Sequence, residues 1–298
     1  MHIARIGYLA KYYLQSKLGH KKPILGGIKL THRCTLQCRQ CPYWRRPSTE
    51  MNYQQVVALM DQFYQEGVRI IIFEGGEPLL WTDGERNIHD LVAAAKERFY
   101  TVGLTTNGTL PIDVQTDVVW VSVDGLRDTH DALRGKSFER IINNLRNSHH
   151  PKIFVNITIN KLNCKEVPSL VEYVAPLVQG ITVQFFYPYS ESEDLLLSWD
   201  DRQWVLDQLI ALKKQGQPIS DSLVALEGLK HNSWRCEPWM LINADPNGEI
   251  NRGCYLQNRM ADQNPCGLCG FAAHAEISLA YQLNLGAIWA GRNILGLF

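Results

Sequence analysis

The sequence predicts an α/β fold, a partial (β/α)6 TIM-like barrel with a small C-terminal cysteine-rich domain. Short apolar runs alternate with helix-like segments from residue 27 to about residue 184, which is the rhythm of repeated βα units around a parallel sheet. The chain has 298 residues, 45% of them apolar, and this is enough for one core of barrel size. After residue 233 the sequence becomes turn-rich and contains four of the eight cysteines. We therefore expect an N-terminal amphipathic helix over residues 1–23, the barrel and its following helices over 24–233, and the cysteine-rich domain with a C-terminal helix over 234–298.

The N-terminal segment carries an apolar stripe at roughly helical spacing. Its members are Ile3, Ile6, Leu9, Ala10, Tyr13 and Leu14, with Arg5, Lys11, Lys17, Lys21 and Lys22 around them. A stripe of this kind usually faces a protein core, so we expect the helix to dock on the barrel. Contact with a membrane surface is the alternative, because a basic amphipathic helix can also lie in a lipid interface.

The barrel prediction rests on six apolar runs and on the helical segments between them. The predicted strands cover residues 27–31, 69–73, 101–105, 118–123, 153–158 and 181–186, and the predicted helices cover 53–65, 88–98, 137–147, 167–174, 195–214 and 221–229. Parallel barrels place their functional side chains on the loops that follow the carboxyl ends of the strands. In chain order these loops contain Cys34, Cys38 and Cys41, then Glu74–Pro78, Thr106–Gly108, Ser122–Gly125, Thr158–Asn160 and Gln184–Tyr187.

Composition excludes several classes of protein. The 30 basic and 30 acidic residues cancel, so no overall field attracts nucleic acid, and we expect no nucleic-acid partner. We expect no cleavable signal and no membrane-spanning segment, because no apolar run is long enough. Eight cysteines in a chain of this length are too few for a small disulfide scaffold. We therefore expect a cytoplasmic protein in a reducing compartment, or one peripheral to the inner face of the membrane.

Three cysteines in the first loop, Cys34, Cys38 and Cys41, have CxxxCxxC spacing. Structural zinc sites usually have four protein ligands, and disulfides need pairs. Three thiolates on one loop can instead ligate three irons of a [4Fe-4S] cluster and leave the fourth iron open to a small chelating molecule. A zinc site completed by His32 and simple packing of buried thiols are the alternatives.

The loop is followed by further motifs in a fixed order. They are Gly75-Gly-Glu-Pro78, Thr105-Thr-Asn-Gly108, Ser122-Val-Asp-Gly125 and Thr129-His-Asp-Ala-Leu-Arg-Gly135. Together with the cysteines they resemble the radical S-adenosylmethionine (SAM) superfamily over roughly residues 24–190. The resemblance implies that the open iron holds SAM and that SAM is cleaved reductively to a 5′-deoxyadenosyl radical, which takes a hydrogen from a substrate. A reductant such as flavodoxin or ferredoxin is then an implied partner.

The resemblance also implies roles for individual residues. The positions that it assigns to binding SAM are Gly75, Gly76, Glu77, Pro78, Asn107, Ser122, Asp124 and Arg134. The Gly75–Pro78 loop would receive the methionine amino group, Ser122 and Asp124 would meet the ribose and methionine end, and Arg134 would pair with the methionine carboxylate. Asn107 is equally suited to capping its loop. The sequence departs from the family at Gln40, where an aromatic residue often lies near the adenine.

A second set of four cysteines, Cys236, Cys254, Cys266 and Cys269, lies after the barrel. Four thiolates suit a structural zinc ion or a fully ligated [4Fe-4S] cluster, whereas a disulfide is disfavoured in a reducing compartment. The segment 242–254 resembles the hairpin of SPASM and twitch extensions, although its spacing departs from theirs. This resemblance implies a second [4Fe-4S] cluster in a shortened domain. Cys164 stands alone and has no predicted role.

These observations predict a radical SAM enzyme of oxidoreductase or transferase type with an unknown substrate. Peptide modification or small-molecule oxidation is the leading expectation. A radical SAM enzyme that acts on a lipid at the membrane surface is one alternative, suggested by the amphipathic ends of the chain. A non-enzymatic zinc or iron–sulfur module that senses redox state is the other.

Overall fold

An eight-stranded sheet runs through the molecule. The computed structural model describes residues 2–47, 49–187, 192–254, 256–257 and 265–296. Its strands are β1 (Leu25–Lys29), β2 (Ile70–Glu74), β3 (Thr82–Asp83), β4 (Arg86–Asn87), β5 (Thr101–Thr106), β6 (Val118–Ser122), β7 (Ile153–Ile159), β8 (Gly180–Phe185), β9 (Leu241–Ala244) and β10 (Ile250–Arg252). Its α-helices are α1 (His2–Lys17), α2 (Tyr53–Glu66), α3 (Ile88–Lys96), α4 (Arg127–Arg134), α5 (Phe138–Asn147), α6 (Val167–Val174), α7 (Trp199–Lys214), α8 (Leu223–Leu229), α9 (Ala272–Tyr281) and α10 (Leu285–Leu295).

Six parallel strands form the barrel wall, in the order β1, β2, β5, β6, β7 and β8. Each lies within two residues of a strand predicted from the sequence, so the partial-barrel prediction is confirmed. Ile71 and Phe73, which share one face of β2, are fully buried and pack in the main core. The helix α4 was not predicted from the sequence, and its position matters for the site described below.

Helix α2 shows how the outer layer is built. A capping box between Asn52 and Gln55 begins the helix, and Gly67 ends it in the left-handed conformation with φ 114°, which glycine adopts without strain. The buried face includes Phe63. A Cβ at Gly26 of β1 would lie 2.9 Å from the Phe63 ring, so glycine at this position allows the helix to approach the sheet closely.

The region after residue 233 joins the same sheet. Strand β9 pairs in parallel with β1, and β10 pairs antiparallel with β9. The sheet order is therefore β10-β9-β1-β2-β5-β6-β7-β8. The boundary near residue 233 stays a prediction, but the strands that follow it extend the wall of the barrel at the β1 edge.

Helices α1, α9 and α10 close the concave side of the sheet. The Ser16 hydroxyl of α1 lies 3.1 Å from the Tyr281 hydroxyl of α9, and Thr101 Oγ1 at the start of β5 donates to the Leu295 carbonyl of α10 over 2.7 Å. Helix α1 therefore docks on the protein, but it does so through Tyr12 and Ser16, whereas Ile6 and Leu14 of the predicted stripe are 52% and 63% exposed. Contact with a membrane surface stays a prediction. Within the described ranges no helix combines the length and the hydropathy needed to cross a bilayer.

Replacing Phe63 by Ala should lower the free energy of unfolding by about 3–5 kcal/mol, because it opens a cavity between α2 and the sheet. Gln54→Ala is the matched control, since Gln54 lies on the exposed face of the same helix and its truncation should change stability by about 0.5 kcal/mol or less. Chemical denaturation under anaerobic, reducing conditions measures both. Equal losses in the two variants would contradict this account of the packing.

Candidate functional site

The cysteine loop is held against the loop that follows β2. Gly76 N donates to the Thr31 carbonyl over 2.7 Å, and Glu77 N donates to the Arg33 carbonyl over 2.8 Å. A Cβ at Gly75 would lie 2.5 Å from the Thr31 carbonyl oxygen, and one at Gly76 would lie 2.2 Å from that of Arg33. Any other residue at the two glycines would push the segment leading to Cys34 away from the sheet.

Glu77 ties this loop to the one after β5. Its carboxylate is fully buried and accepts hydrogen bonds from Leu79 N, Asn107 N and the Thr106 hydroxyl. Burial raises the pKa of Glu77 to about 7, against the lowering effect of these donors. Both carboxylate oxygens of Glu77 thus accept hydrogen bonds from within the protein. A contact between Glu77 and SAM stays a prediction.

Asn107 connects the same loop to the cysteines. Its Nδ2 lies 3.4 Å from Cys34 Sγ and 2.9 Å from Thr35 Oγ1, while its Oδ1 accepts from Thr109 N and Oγ1. An N–H group directed at a sulfur favours the thiolate form of that cysteine. The described contacts of Asn107 therefore position Cys34, and a direct role in binding SAM stays a prediction.

The three cysteines of the first loop lie close enough for their charges to interact. Burial raises the pKa of Cys38 to about 12, Arg134 opposes this rise, and the charges of Cys41 and Cys34 add to it. Burial is also the largest cause of the raised pKa of Cys34. Three thiolates close together, with Cys38 buried and Cys34 and Cys41 partly buried, need nearby positive charge, and an iron–sulfur cluster provides it. The donor set therefore fits a cluster with three cysteine ligands. Among the described residues no group of three or more His, Cys, Asp or Glu side chains is arranged to hold a metal ion.

Asp124 and Arg134 form a buried ion pair beside the cysteines. Arg134 Nε lies 2.5 Å from Asp124 Oδ2, Gln40 Nε2 donates to the same oxygen over 2.8 Å, and Thr158 N donates to Oδ1 over 2.8 Å. The pair exists because α4, which the sequence did not predict, places Arg134 over the end of β6. Ser122 lies two residues before Asp124 and is nearly buried. The roles of Ser122, Asp124 and Arg134 toward SAM stay predictions.

Gln40, which stands where the family often has an aromatic residue, belongs to the hydrogen-bond network of Asp124 and Arg134. The sequence did not predict this role. The Gln40 side chain is 8% exposed, and its Oε1 is buried with no hydrogen-bond partner among the described residues. A buried acceptor without a donor is costly in the protein interior. The amino and hydroxyl groups of SAM are suitable donors, so this orphaned oxygen fits the presence of that cofactor next to Cys38, Cys41 and Arg134.

The four later cysteines also come together, in the gap between the two edge strands of the sheet. Cys236 precedes β9, Cys254 follows β10, and Gly270, next to Cys269, accepts a hydrogen bond from Phe185 N at the end of β8. Burial raises the pKa of Cys236 to about 12, and the charges of Cys269, Cys254 and Cys266 add to this rise. The four thiols therefore lie near one another as candidate ligands of one centre, although their side chains do not adopt a ligating arrangement in the structure.

Arg202 is a residue of this second centre that sequence reasoning missed. It is nearly buried, donates to the carbonyl of Cys269 and to Asn232 Oδ1, and lies 4.4 Å from the centre of the Phe185 ring. Burial lowers its pKa to about 10, against the opposing charge of Cys269. The sequence signal that could have identified Arg202 is its position on the apolar face of α7, which is buried in the structure. Cys164, by contrast, packs in the main core.

Known proteins resemble this chain across the barrel. A family model described as the radical SAM superfamily matches residues 28–173. The Fe-coproporphyrin III synthase of Methanosarcina barkeri is 31% identical over 168 residues, which cover 51% of this chain and 41% of that protein. The sporulation killing factor maturation protein SkfB of Bacillus subtilis is 29% identical over 181 residues, which cover 55% of this chain and 42% of that protein. The chain thus spans less than half the length of these curated relatives.

Solved structures resemble the fold over a longer range. Streptococcus suis SuiB bound to S-adenosylmethionine has a TM-score of 0.67 at 15% identity and covers 96% of this chain and 71% of that one. The structure of anSMEcpe with bound AdoMet and the Cp18Cys peptide has a TM-score of 0.60 at 17% identity and covers 77% of this chain and 73% of that one. At these identities the likeness shows the fold.

Replacing Arg134 by Met should cost about 3–5 kcal/mol of unfolding free energy, because it leaves the Asp124 carboxylate buried without its cation. The control is Arg127→Met on the same helix, whose pair with Glu139 is exposed and should contribute about 1 kcal/mol or less. Chemical denaturation measures both variants.

The double variant Asp124→Asn/Arg134→Met tests the cause. It should be more stable than Arg134→Met alone, since it removes the uncompensated charge. A double variant that is less stable than the single one would mean that Arg134 acts through packing.

Proposed function

The chain belongs to the radical SAM superfamily, and from this membership we propose that it is an enzyme that takes a hydrogen atom from a substrate held inside the barrel. One observation carries the proposal. Three thiols, a double-glycine loop and a buried arginine–aspartate pair lie together at the carboxyl edge of the parallel sheet. This edge is where barrels of this kind perform their chemistry.

Cys34, Cys38 and Cys41 are the proposed ligands of a [4Fe-4S] cluster with one open iron. When bound, the cluster and SAM supply a one-electron reductive cleavage that yields methionine and a 5′-deoxyadenosyl radical. The chain's own residues orient and shield this chemistry. The Gly75–Pro78 loop offers backbone groups for the cofactor, and Trp44 Nε1 donates to the Cys38 carbonyl over 3.2 Å, which holds an aromatic ring over the cysteine loop.

Cys236, Cys254, Cys266 and Cys269 are the proposed ligands of a second [4Fe-4S] cluster, with zinc as the alternative. Four cysteines complete the ligation of a cluster, so we expect a role in electron transfer or structure, with no iron left open for a substrate atom. Arg202 supports this centre by holding the Cys269 carbonyl. A reductant such as flavodoxin or ferredoxin is the proposed source of electrons for the first cluster.

The substrate class is proposed on two grounds. The relatives include a sporulation killing factor maturation protein and an Fe-coproporphyrin III synthase, so maturation of a gene product and synthesis of a small molecule both have precedents among them. The interior of this barrel favours the small molecule, because a chamber closed by α1, α9 and α10 lies beside the site.

The triple variant Cys34/Cys38/Cys41→Ala should form no 5′-deoxyadenosine from SAM with dithionite after anaerobic reconstitution, while the wild type does. It should keep about half of the wild-type iron and sulfide, because the second cluster remains. Cys164→Ala is the matched control and should retain both iron and activity. A wild-type protein that carries zinc and forms no 5′-deoxyadenosine would favour the redox-sensing or structural alternative.

The double variant Cys266→Ala/Cys269→Ala distinguishes a second cluster from zinc. It should lose about four irons per chain relative to the wild type and still cleave SAM, since the first loop is intact. Metal analysis of the reconstituted protein measures this. Loss of one zinc with unchanged iron would replace the second cluster by a structural zinc site.

A further inference from the structure

A chamber of about 790 Å³ lies on the concave side of the sheet. Sites for small molecules usually measure roughly 300–1,000 Å³. None of the positions predicted to bind SAM lines this chamber, but Glu74 and Thr105, their neighbours in the chain, do. The chamber therefore begins next to the proposed cofactor site and extends away from it toward the starts of the strands.

The lining changes from polar to apolar along this direction. Near the carboxyl ends of the strands it presents Glu74, Thr105 and Gln184, whereas Leu25, Ile70 and Leu241 line it at the strand starts. The helices add further apolar surface from Leu9, Ile277 and Ile288. An extended peptide would leave backbone amides without partners against such walls, and this is costly. A hydrocarbon body has no such cost.

The chamber opens beside α1. Ile6 of α1 and Leu283, in the turn between α9 and α10, both line it and are 52% and 56% exposed. Ala10, one helical turn after Ile6, also lines it and is exposed. A long apolar molecule could therefore enter or extend between these helices.

The charged side chains that line the wall are acidic. Glu74, Asp221 and Glu276 line the chamber, and no lysine or arginine does so in the part of the chain that the structure describes. Glu276 is 7% exposed, and its Oε2 has no hydrogen-bond partner among the described residues. Burial raises the pKa of Glu276 to about 8 and that of Asp221 to about 7. The raised pKa values reduce the negative charge of both groups near neutral pH, and Glu74 is paired with Lys29 over 3.1 Å. A ligand hydroxyl or amine can form a hydrogen bond with the unpartnered oxygen of Glu276, whereas a ligand carboxylate or phosphate would be buried without a lysine or arginine on the lining that the structure describes.

We propose that the chamber binds an amphiphilic small molecule with a long or polycyclic hydrocarbon body and hydroxyl or amino groups, and that this molecule is the substrate. The claim that this molecule is a substrate rests on the proposed function, whereas its binding to the chamber does not, since binding can be measured without turnover. The polar groups meet Glu276 and the ring of polar side chains near Glu74, and the hydrocarbon body extends toward the opening between Ile6 and Leu283.

Displacement of the neutral dye Nile red from the full-length reconstituted protein tests the chamber. Hexadecanol and hexadecylamine should displace the dye, and palmitate should do so at least about tenfold less well, because its anionic head would lose water without gaining a lysine or arginine partner on the described lining. Equal displacement by palmitate would overturn the assignment of the polar groups. Displacement by an unstructured peptide but by neither hexadecyl compound would overturn the proposal in favour of a peptide substrate.

Ala10→Trp places a large ring in the opening at an exposed helical position, so folding should be unaffected. It should weaken the binding of hexadecanol by about tenfold or more, which corresponds to the loss of one favourable contact region. Ala58→Trp is the matched control, since Ala58 is exposed on α2 and does not line the chamber. Equal affinities in the two variants would overturn the location of the site.

Glu276→Leu should weaken hexadecylamine binding and leave Nile red binding unchanged. Unchanged hexadecylamine binding would overturn the role of Glu276.

Two further experiments identify the source of the ligand and distinguish failure of the chamber proposal from failure of the proposed enzyme function. Loading of hexadecanol from phosphatidylcholine vesicles identifies a membrane source, and loading only from cyclodextrin identifies a dispersed one. Both outcomes support the chamber, and loading from neither overturns it. A protein that binds hexadecanol but forms no 5′-deoxyadenosine keeps the chamber and loses the radical mechanism, whereas the opposite result does the reverse.

Discussion

The buried carboxylate of Glu77 is the constraint on which the upper edge of the barrel depends. It accepts hydrogen bonds from its own loop and from the loop after β5, and Asn107 in the second of these loops extends the connection to Cys34. Because the group is buried and multiply bonded, a change in any one loop is transmitted to the others. The cysteine loop, which carries no regular structure longer than a short turn, is thereby given a defined position.

Charge compensation at the two cysteine sets follows one physical rule. Each set holds thiols near one another, one of them buried, and each has a buried arginine nearby, Arg134 at the first and Arg202 at the second. The arginines differ in their partners, since Arg134 is paired with Asp124 whereas Arg202 donates mainly to carbonyl and amide oxygens. The first centre is therefore coupled to a network that reaches Gln40 and Thr158, and the second is coupled to the joint between α7 and the edge of the sheet.

The C-terminal region has two functions that a separate appended domain would not have. Strands β9 and β10 extend the sheet at one edge, and the second cysteine set occupies the gap toward β8. Helices α9 and α10 then close the concave side together with α1. The same segment of chain thus supplies a candidate electron-transfer centre and most of the apolar wall of a chamber beside the first centre. A molecule held in this chamber would lie between the proposed cofactor site and helices α1, α9 and α10.

The sequence alone determined the six barrel strands, the cysteine sets and the edge of the sheet where chemistry occurs, because hydrophobic period and ligand spacing are local properties of the chain. Tertiary structure decided the rest. Gln40 and Arg202 became parts of sites only when distant segments brought Asp124 and Cys269 to them, and β9 was recognisable as a barrel strand only through its pairing with β1. The chamber also has no local signature, since its walls come from strands and helices at both ends of the chain. Contacts of long sequence separation depend on packing, which no local pattern encodes.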